Sequence, residues 1–180
     1  MRVFVLCTGR SGSTTFARAC AHIKNYTSGH ETQSAQYRNR VEYPDCHIEV
    51  DNRLAWMLGL LDARYGDDAL YVHLRRSRGA VARSYRGRAG NARGIVRAFS
   101  HGIIQADRCD DYTEPVNLML DTMTANIEAF LKDKTRVINV DIESPHSGFN
   151  EMWDRAGAIG DRTAALAEFD RRYNATKGIR

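Results

Sequence analysis

The stretch Val3-Phe4-Val5-Leu6-Cys7-Thr8-Gly9-Arg10-Ser11-Gly12-Ser13-Thr14-Thr15-Phe16 changes character twice. Val3 to Cys7 is a short apolar run with β-branched members, and it reads as a buried strand. Thr8 to Ser13 reads as a loop rich in Gly and Ser. From Thr14 onward, Phe16, Cys20 and Ile23 fall at helical spacing, with Arg18 and His22 between them. Strand, glycine-rich loop and helix in this order form a cradle for an anion. The loop presents backbone N–H groups, and the helix N-terminus adds partial positive charge and further donors. Gly9 and Gly12 permit close approach and left-handed dihedrals. Arg10 adds a permanent charge, and Ser13, Thr14 and Thr15 add hydroxyls. The common nucleotide loop has a lysine directly after its last glycine. Ser13 stands there instead, which argues against ATP or GTP handling with magnesium.

Working outward, Cys46, Ile48 and Val50 alternate with His47 and Glu49, which predicts a second strand. The intervening segment, Asn25 to Pro44, is polar and reads as irregular, with a helical turn around Thr32 to Arg40. Leu54, Met57, Leu58 and Leu61 form a helical stripe that Gly66-Asp67-Asp68 ends. Leu70 to Leu74 reads as a third strand and Ala80 to Arg88 as a helix. Gly87, Gly90 and Gly94 suggest a loop or lid. Val116 to Leu131 is a helix with Leu120, Met123, Ile127 and Leu131 on one face. Val137 to Val140 reads as a fourth strand, Ser144 to Gly148 as a turn, and Ala164 to Tyr173 as a final helix. This alternation predicts an α/β fold, a three-layer sandwich around a mostly parallel central sheet with P-loop-like architecture.

The composition agrees. At 180 residues, 43% hydrophobic and 27% charged, the chain reads as one domain over residues 1–180, too apolar to be disordered. The longest near-apolar run, Ala55 to Leu61, falls short of the roughly 20 residues a membrane span needs. The apolar start is too short for a secretory signal, and a cytoplasmic location is the expectation. Cys7, Cys20, Cys46 and Cys109 lack metal-ligand spacing and read as small buried hydrophobes. The net charge of +4 comes almost entirely from arginine. Arg75, Arg76, Arg78, Arg83, Arg86, Arg88, Arg93 and Arg97 crowd into one segment. Arginine suits bidentate binding of phosphate- and sulfate-like groups, although a solvated basic helix face gives the same pattern.

Within that segment, Arg76 directly follows the strand Leu70 to Leu74 and its neighbour Arg75, and Ser84 stands eight positions later in the following helix. An Arg at the carboxyl end of a parallel strand faces the crevice where α/β sheets bind ligands. Together with Arg10-Ser11-Gly12-Ser13-Thr14, this pattern resembles the two phosphate motifs of the sulfotransferases that use 3′-phosphoadenosine 5′-phosphosulfate (PAPS). Ala80-Val81 and Tyr85 also look like the family, as do the segments Ile48 to Arg53 and Arg136 to Asp141.

The resemblance implies that Arg10, Ser11, Gly12, Ser13, Thr14 and Thr15 hold the 5′-phosphosulfate. It implies that Arg76 and Ser84 hold the 3′-phosphate, and that Arg10 stabilises developing charge. Thr176-Lys177-Gly178 is similar to the family's closing C-terminal segment, which would place Lys177 at the donor. Some relatives draw a proton acceptor from the loop after the first helix. Glu31 stands at that position, with His30 and His47 as alternatives. No metal is implied. The chain is short for the family, and it lacks the lysine many relatives carry near Asp51 to Arg53; Arg53 is the available substitute. The acceptor is open among carbohydrate, lipid, phenol and peptide tyrosine, and a second copy of the chain could complete a small acceptor half. Two other classes compete: a P-loop small-molecule kinase, and a non-catalytic nucleotide- or nucleic-acid-binding protein.

Overall fold

The computed structural model describes residues 1–88, 94–106, 111–171 and 173. Five strands, β1 (Val3–Leu6), β2 (Thr27–His30), β3 (His47–Val50), β4 (Leu70–Arg75) and β5 (Val137–Asp141), form one sheet. They pair in the order β2-β3-β1-β4-β5, and every pairing is parallel. The helices are α1 (Ser13–Cys20), α2 (Leu58–Tyr65), α3 (Arg78–Arg86), α4 (Ile95–Arg97), α5 (Thr113–Leu131), α6 (His146–Arg155) and α7 (Arg162–Ala167). Tight 3-10 turns occupy Asn52–Trp56 and Glu168–Asp170, and α4 continues into a π-wound segment, Ala98–Ile103.

The strand period sorts the core into two halves. Phe4 and Leu6 of β1 face one side, with Tyr71, Leu61 of α2, Val81 of α3 and Met119, Met123 and Ile127 of α5. Val3, Val5 and Cys7 face the other, with Ile48, Val72, Phe16 of α1 and Phe149 and Met152 of α6. The sheet is the middle of three layers. No helix among the described residues is long and apolar enough to cross a membrane.

The topology decides where a ligand can go. From β1 the chain leaves through α1 toward β2 and β3 on one side of the sheet. From β4 it leaves through α3 to α5 toward β5 on the other. The carboxyl ends of β1 and β4 therefore flank a topological switch point, where open α/β sheets form their binding crevice.

Three differences from the sequence reading have physical causes. β2 lies in the segment read as irregular; Thr27-Ser28-Gly29-His30 carries no apolar residue, because an edge strand needs none on its open side. α6 starts within the stretch read as a turn. Gly148 sits in its first turn, where a β-carbon would lie 2.7 Å from the Asn139 carbonyl oxygen and 2.9 Å from Val140 Cγ2. That glycine serves close packing of helix on strand, not chain reversal. Cys7 and Cys20 are buried, but Cys46 is exposed in the left-handed turn before β3 (φ 52°); Cys109 lies outside the described residues.

Candidate functional site

The loop after β1 has three left-handed residues, Gly9 (φ 77°), Arg10 (φ 54°) and Gly12 (φ 87°). Such a sequence of dihedrals turns successive N–H groups toward one concave side. Gly12 caps α1 without a side-chain hydrogen bond, and its carbonyl accepts from Phe16 N at 2.9 Å. Both glycines are required by space as well as dihedral. A β-carbon on Gly9 would lie 2.3 Å from the Tyr85 hydroxyl oxygen, and one on Gly12 would lie 2.4 Å from Ile142 Cγ1. Tyr85 fastens the loop to α3 by donating to the Thr8 carbonyl at 2.8 Å.

The second phosphate motif meets this loop directly. Arg10 Nε donates to Ser84 Oγ at 2.9 Å, and Arg76 Nη1 donates to the Arg10 carbonyl at 3.1 Å. Arg10, Arg76 and Ser84, spread over 74 positions of sequence, form one cluster at the switch point. Burial lowers the proton affinity of the Arg10 guanidinium, and the charges of Arg88 and Arg76 lower it further. Arg76 has no ion pair with a carboxylate among the described residues. Guanidinium groups brought to one loop from two parts of the chain suit an anion of more than one charge. Beside Arg76 and Thr8 opens a cavity of about 310 Å³, lined also by His73, Val81 and Leu120.

Within the loop the side chains divide. Ser11 is buried, and its hydroxyl has no hydrogen-bond partner among the described residues; burial pushes the neighbouring Cys7 thiol up to about 11. Ser13 Oγ lies 3.0 Å from His30 Nε2. Thr15 is also buried, and Thr14 is half-buried at the start of α1. Lys177 lies outside the described residues.

Glu31 stands just past β2 and is itself left-handed, with φ 57°. Its N–H donates to the Val50 carbonyl at 3.1 Å. One carboxylate oxygen accepts from Asn52 Nδ2 at 2.7 Å, and the other pairs with the Arg53 guanidinium. Asn52 in turn abuts the loop, 3.2 Å from where a Gly9 β-carbon would stand. His30 is exposed. His47 is buried at the opposite end of β3, in contact with Glu49, and does not reach the loop. Asn52 is a residue the sequence reading passed over; its only signal was its place two positions past a strand end. Asp51 supports this arm. It is fully buried, accepts from Arg40 Nη2 at 2.6 Å, and accepts from Arg53 N at 2.7 Å. Burial pushes its carboxyl up, and Arg40 opposes that.

No protein-family model matches the sequence, and no curated protein matches it. Among solved structures, the chain is similar to mouse sulfotransferase SULT7A1 complexed with PAP, with a TM-score of 0.55 and 9% identity. The chain has the sulfotransferase fold. The superposition covers 94% of this chain and 63% of the mouse one, so the chain spans less than two thirds of that enzyme's length. At this identity the likeness is one of architecture, and the site has to be argued from its own residues.

Proposed function

We propose that the protein is a sulfotransferase that takes the sulfuryl group from PAPS and passes it to a hydroxyl or amine. The observation that carries this is the meeting of Arg10, Arg76 and Ser84 on a left-handed glycine loop at the switch point. An ordinary nucleotide loop needs cationic charge at the 5′ end alone. Here a second cationic side chain arrives from the end of β4, which suits a nucleotide with a further phosphate on its ribose. Structural likeness to an enzyme complexed with PAP supports the same donor.

On this reading the chain's residues divide the work. The backbone N–H groups of residues 11 to 14 and the Arg10 guanidinium hold the 5′ group. They are aimed where negative charge grows as the sulfuryl group leaves, and such preorganised donors are the main source of rate in transfer reactions of this kind. Arg76 and Ser84 hold the ribose phosphate and fix the donor's register, converting encounter into orientation. Glu31 receives the acceptor's proton; Asn52 orients one of its oxygens and leaves its carboxylate within one residue contact of the loop. Arg53 pairs with Glu31 and replaces the lysine of many relatives as a nearby cation. The reading assigns no role to a metal, places the chemistry at the carboxyl edge of the sheet, and leaves room for a second copy to contribute to the acceptor half.

Calorimetric titration with PAP (3′-phosphoadenosine 5′-phosphate), AMP and ATP tests the donor. Binding of PAP that AMP and ATP do not match is the expected result. Equal binding of all three, or none, would overturn the proposal and send the arginine-rich segment to a nucleic-acid titration at several salt concentrations, where a steep slope marks phosphate contacts.

A further inference from the structure

β3 and the extended residue that follows it carry His47, Glu49 and Asp51 at alternate positions, and all are buried. Buried charge must be paired and hydrogen-bonded to be tolerated. Asp51 meets this through Arg40 and the Arg53 backbone. Glu49 meets it differently. One of its oxygens accepts from Thr32 N at 2.8 Å. The other accepts from the Thr32 hydroxyl at 2.5 Å and lies 2.9 Å from His47 Nε2. His47 is held in turn, with Nδ1 2.8 Å from Thr27 Oγ1 and its ring stacked on Tyr43.

Thr32 is therefore folded back onto the sheet and gripped by two donors of its own. Gly29 makes the room: a β-carbon there would lie 2.1 Å from Thr32 Cγ2 and 3.1 Å from Glu49 Oε2. Glu31 is the residue between this grip and the end of β2. It sits in the left-handed region, which L residues with a β-carbon leave unless their surroundings hold them. Its N–H is tied on one side to Val50, and the next residue is tied on the other to Glu49. Those two ties fix the dihedral, and the dihedral aims the carboxylate at Asn52 and Arg53.

We infer that Glu49 is a positioning residue for Glu31, acting through Thr32 from inside the sheet. The catalytic consequence rests on the sulfotransferase reading; the positional one does not. Glu49 touches no reacting atom, so its loss should leave donor binding alone and misplace the proton acceptor, an error that costs on the order of a hundredfold in rate for a displacement near 1 Å.

The test uses Glu49→Gln, Thr32→Val and Thr32→Ser in the full chain. Thr32 is itself exposed, and its variants keep the buried Glu49 carboxylate with its His47 and Thr32 N contacts, so they remain testable even where Glu49→Gln fails to fold. The primary readout is the carboxyl carbon resonance of Glu31, assigned by its absence in Glu31→Gln. It should move in Thr32→Val and Glu49→Gln and return to its wild-type position in Thr32→Ser. With PAPS and p-nitrophenol, kcat should fall in the first two variants while the KM for PAPS and the affinity for PAP stay within about twofold, as for loss of a group that acts after binding. An unmoved Glu31 resonance in both variants overturns the inference. A moved resonance in a protein that neither binds PAP nor turns over supports the positioning and places the failure with the sulfotransferase reading.

Discussion

Arg76 shows how much one side chain can decide. It is exposed, it donates to the Arg10 carbonyl, and it stands at the carboxyl end of β4. Replacing it with alanine removes a charged hydrogen bond of about 1.5–3 kcal/mol, one to two orders of magnitude in affinity. The loss should fall on PAP and spare AMP, and paired titrations of wild type and Arg76→Ala measure the difference. Equal losses for both ligands would move Arg76 out of the ribose-phosphate role. Glu31→Ala should do the reverse, keeping PAP affinity while turnover drops by about 10²–10⁴, the usual contribution of a positioned base. Unchanged turnover would hand the proton to His30, which lies beside Ser13 in the same mouth. Motif spacing singled out Arg10, Arg76, Ser84 and Glu31 in the sequence, and the structure brings the first three into contact; their roles are what these titrations and rates decide. Their partners were not legible in this way. Asn52, Glu49 and Thr32 matter through contacts between β3 or the turn after it and the residues just past β2, and nothing local in the chain announces which carboxylate will meet which hydroxyl.

At the scale of elements, apolar period found β1, β3, β4, β5, α1 and α5 within a residue or a few of their ends. It failed where an element draws its stability from something other than a stripe. β2 is held by backbone pairing to β3 with no apolar side chain. α6 opens on Pro145, His146, Ser147 and Gly148, turn formers in any local reading, and earns its place through Phe149, Met152 and Trp153. Gly148→Ala separates the two meanings of that glycine. A turn would tolerate it, but here the β-carbon meets a backbone oxygen of β5 that cannot step aside. We expect destabilisation of about 1–3 kcal/mol, the range for overpacking a tight contact, read from the urea midpoint. A gain in stability, as for glycine replaced by alanine in an open helix, would show that α6 sits farther from the sheet.

For the whole molecule, the test is pH. His73 is buried under α3 and α5 at the cavity beside Arg76, and burial together with the Arg75 charge lowers it from 6.5 to about 4. The unfolded chain therefore binds a proton between pH 6.5 and 4 that the folded one refuses. Stability rises with pH wherever the unfolded state holds more protons, so this contribution is complete near neutrality and drains away as pH falls through that window, by up to about 3 kcal/mol. His73→Leu removes the term. Its urea midpoint should fall less than that of wild type between pH 7 and pH 4.5, and parallel curves would mean that His73 is accessible to protons in the native state.

The order of the strands also sets a timetable. β1 is made first but lies in the centre, paired with β3 and β4, and Ile142 beyond β5 is the side chain that closes over Gly12. A ribosome has to deliver the chain as far as Ile142 before the anion loop acquires the wall over Gly12. Until then Tyr85 and Asn52 can brace Gly9, but Gly12 lacks the side chain that covers it, and the nascent chain carries a loop spelled out well before the residue that completes its wall. Pulse-labelled chains released at residue 130 should pass over a PAP matrix that retains the finished protein.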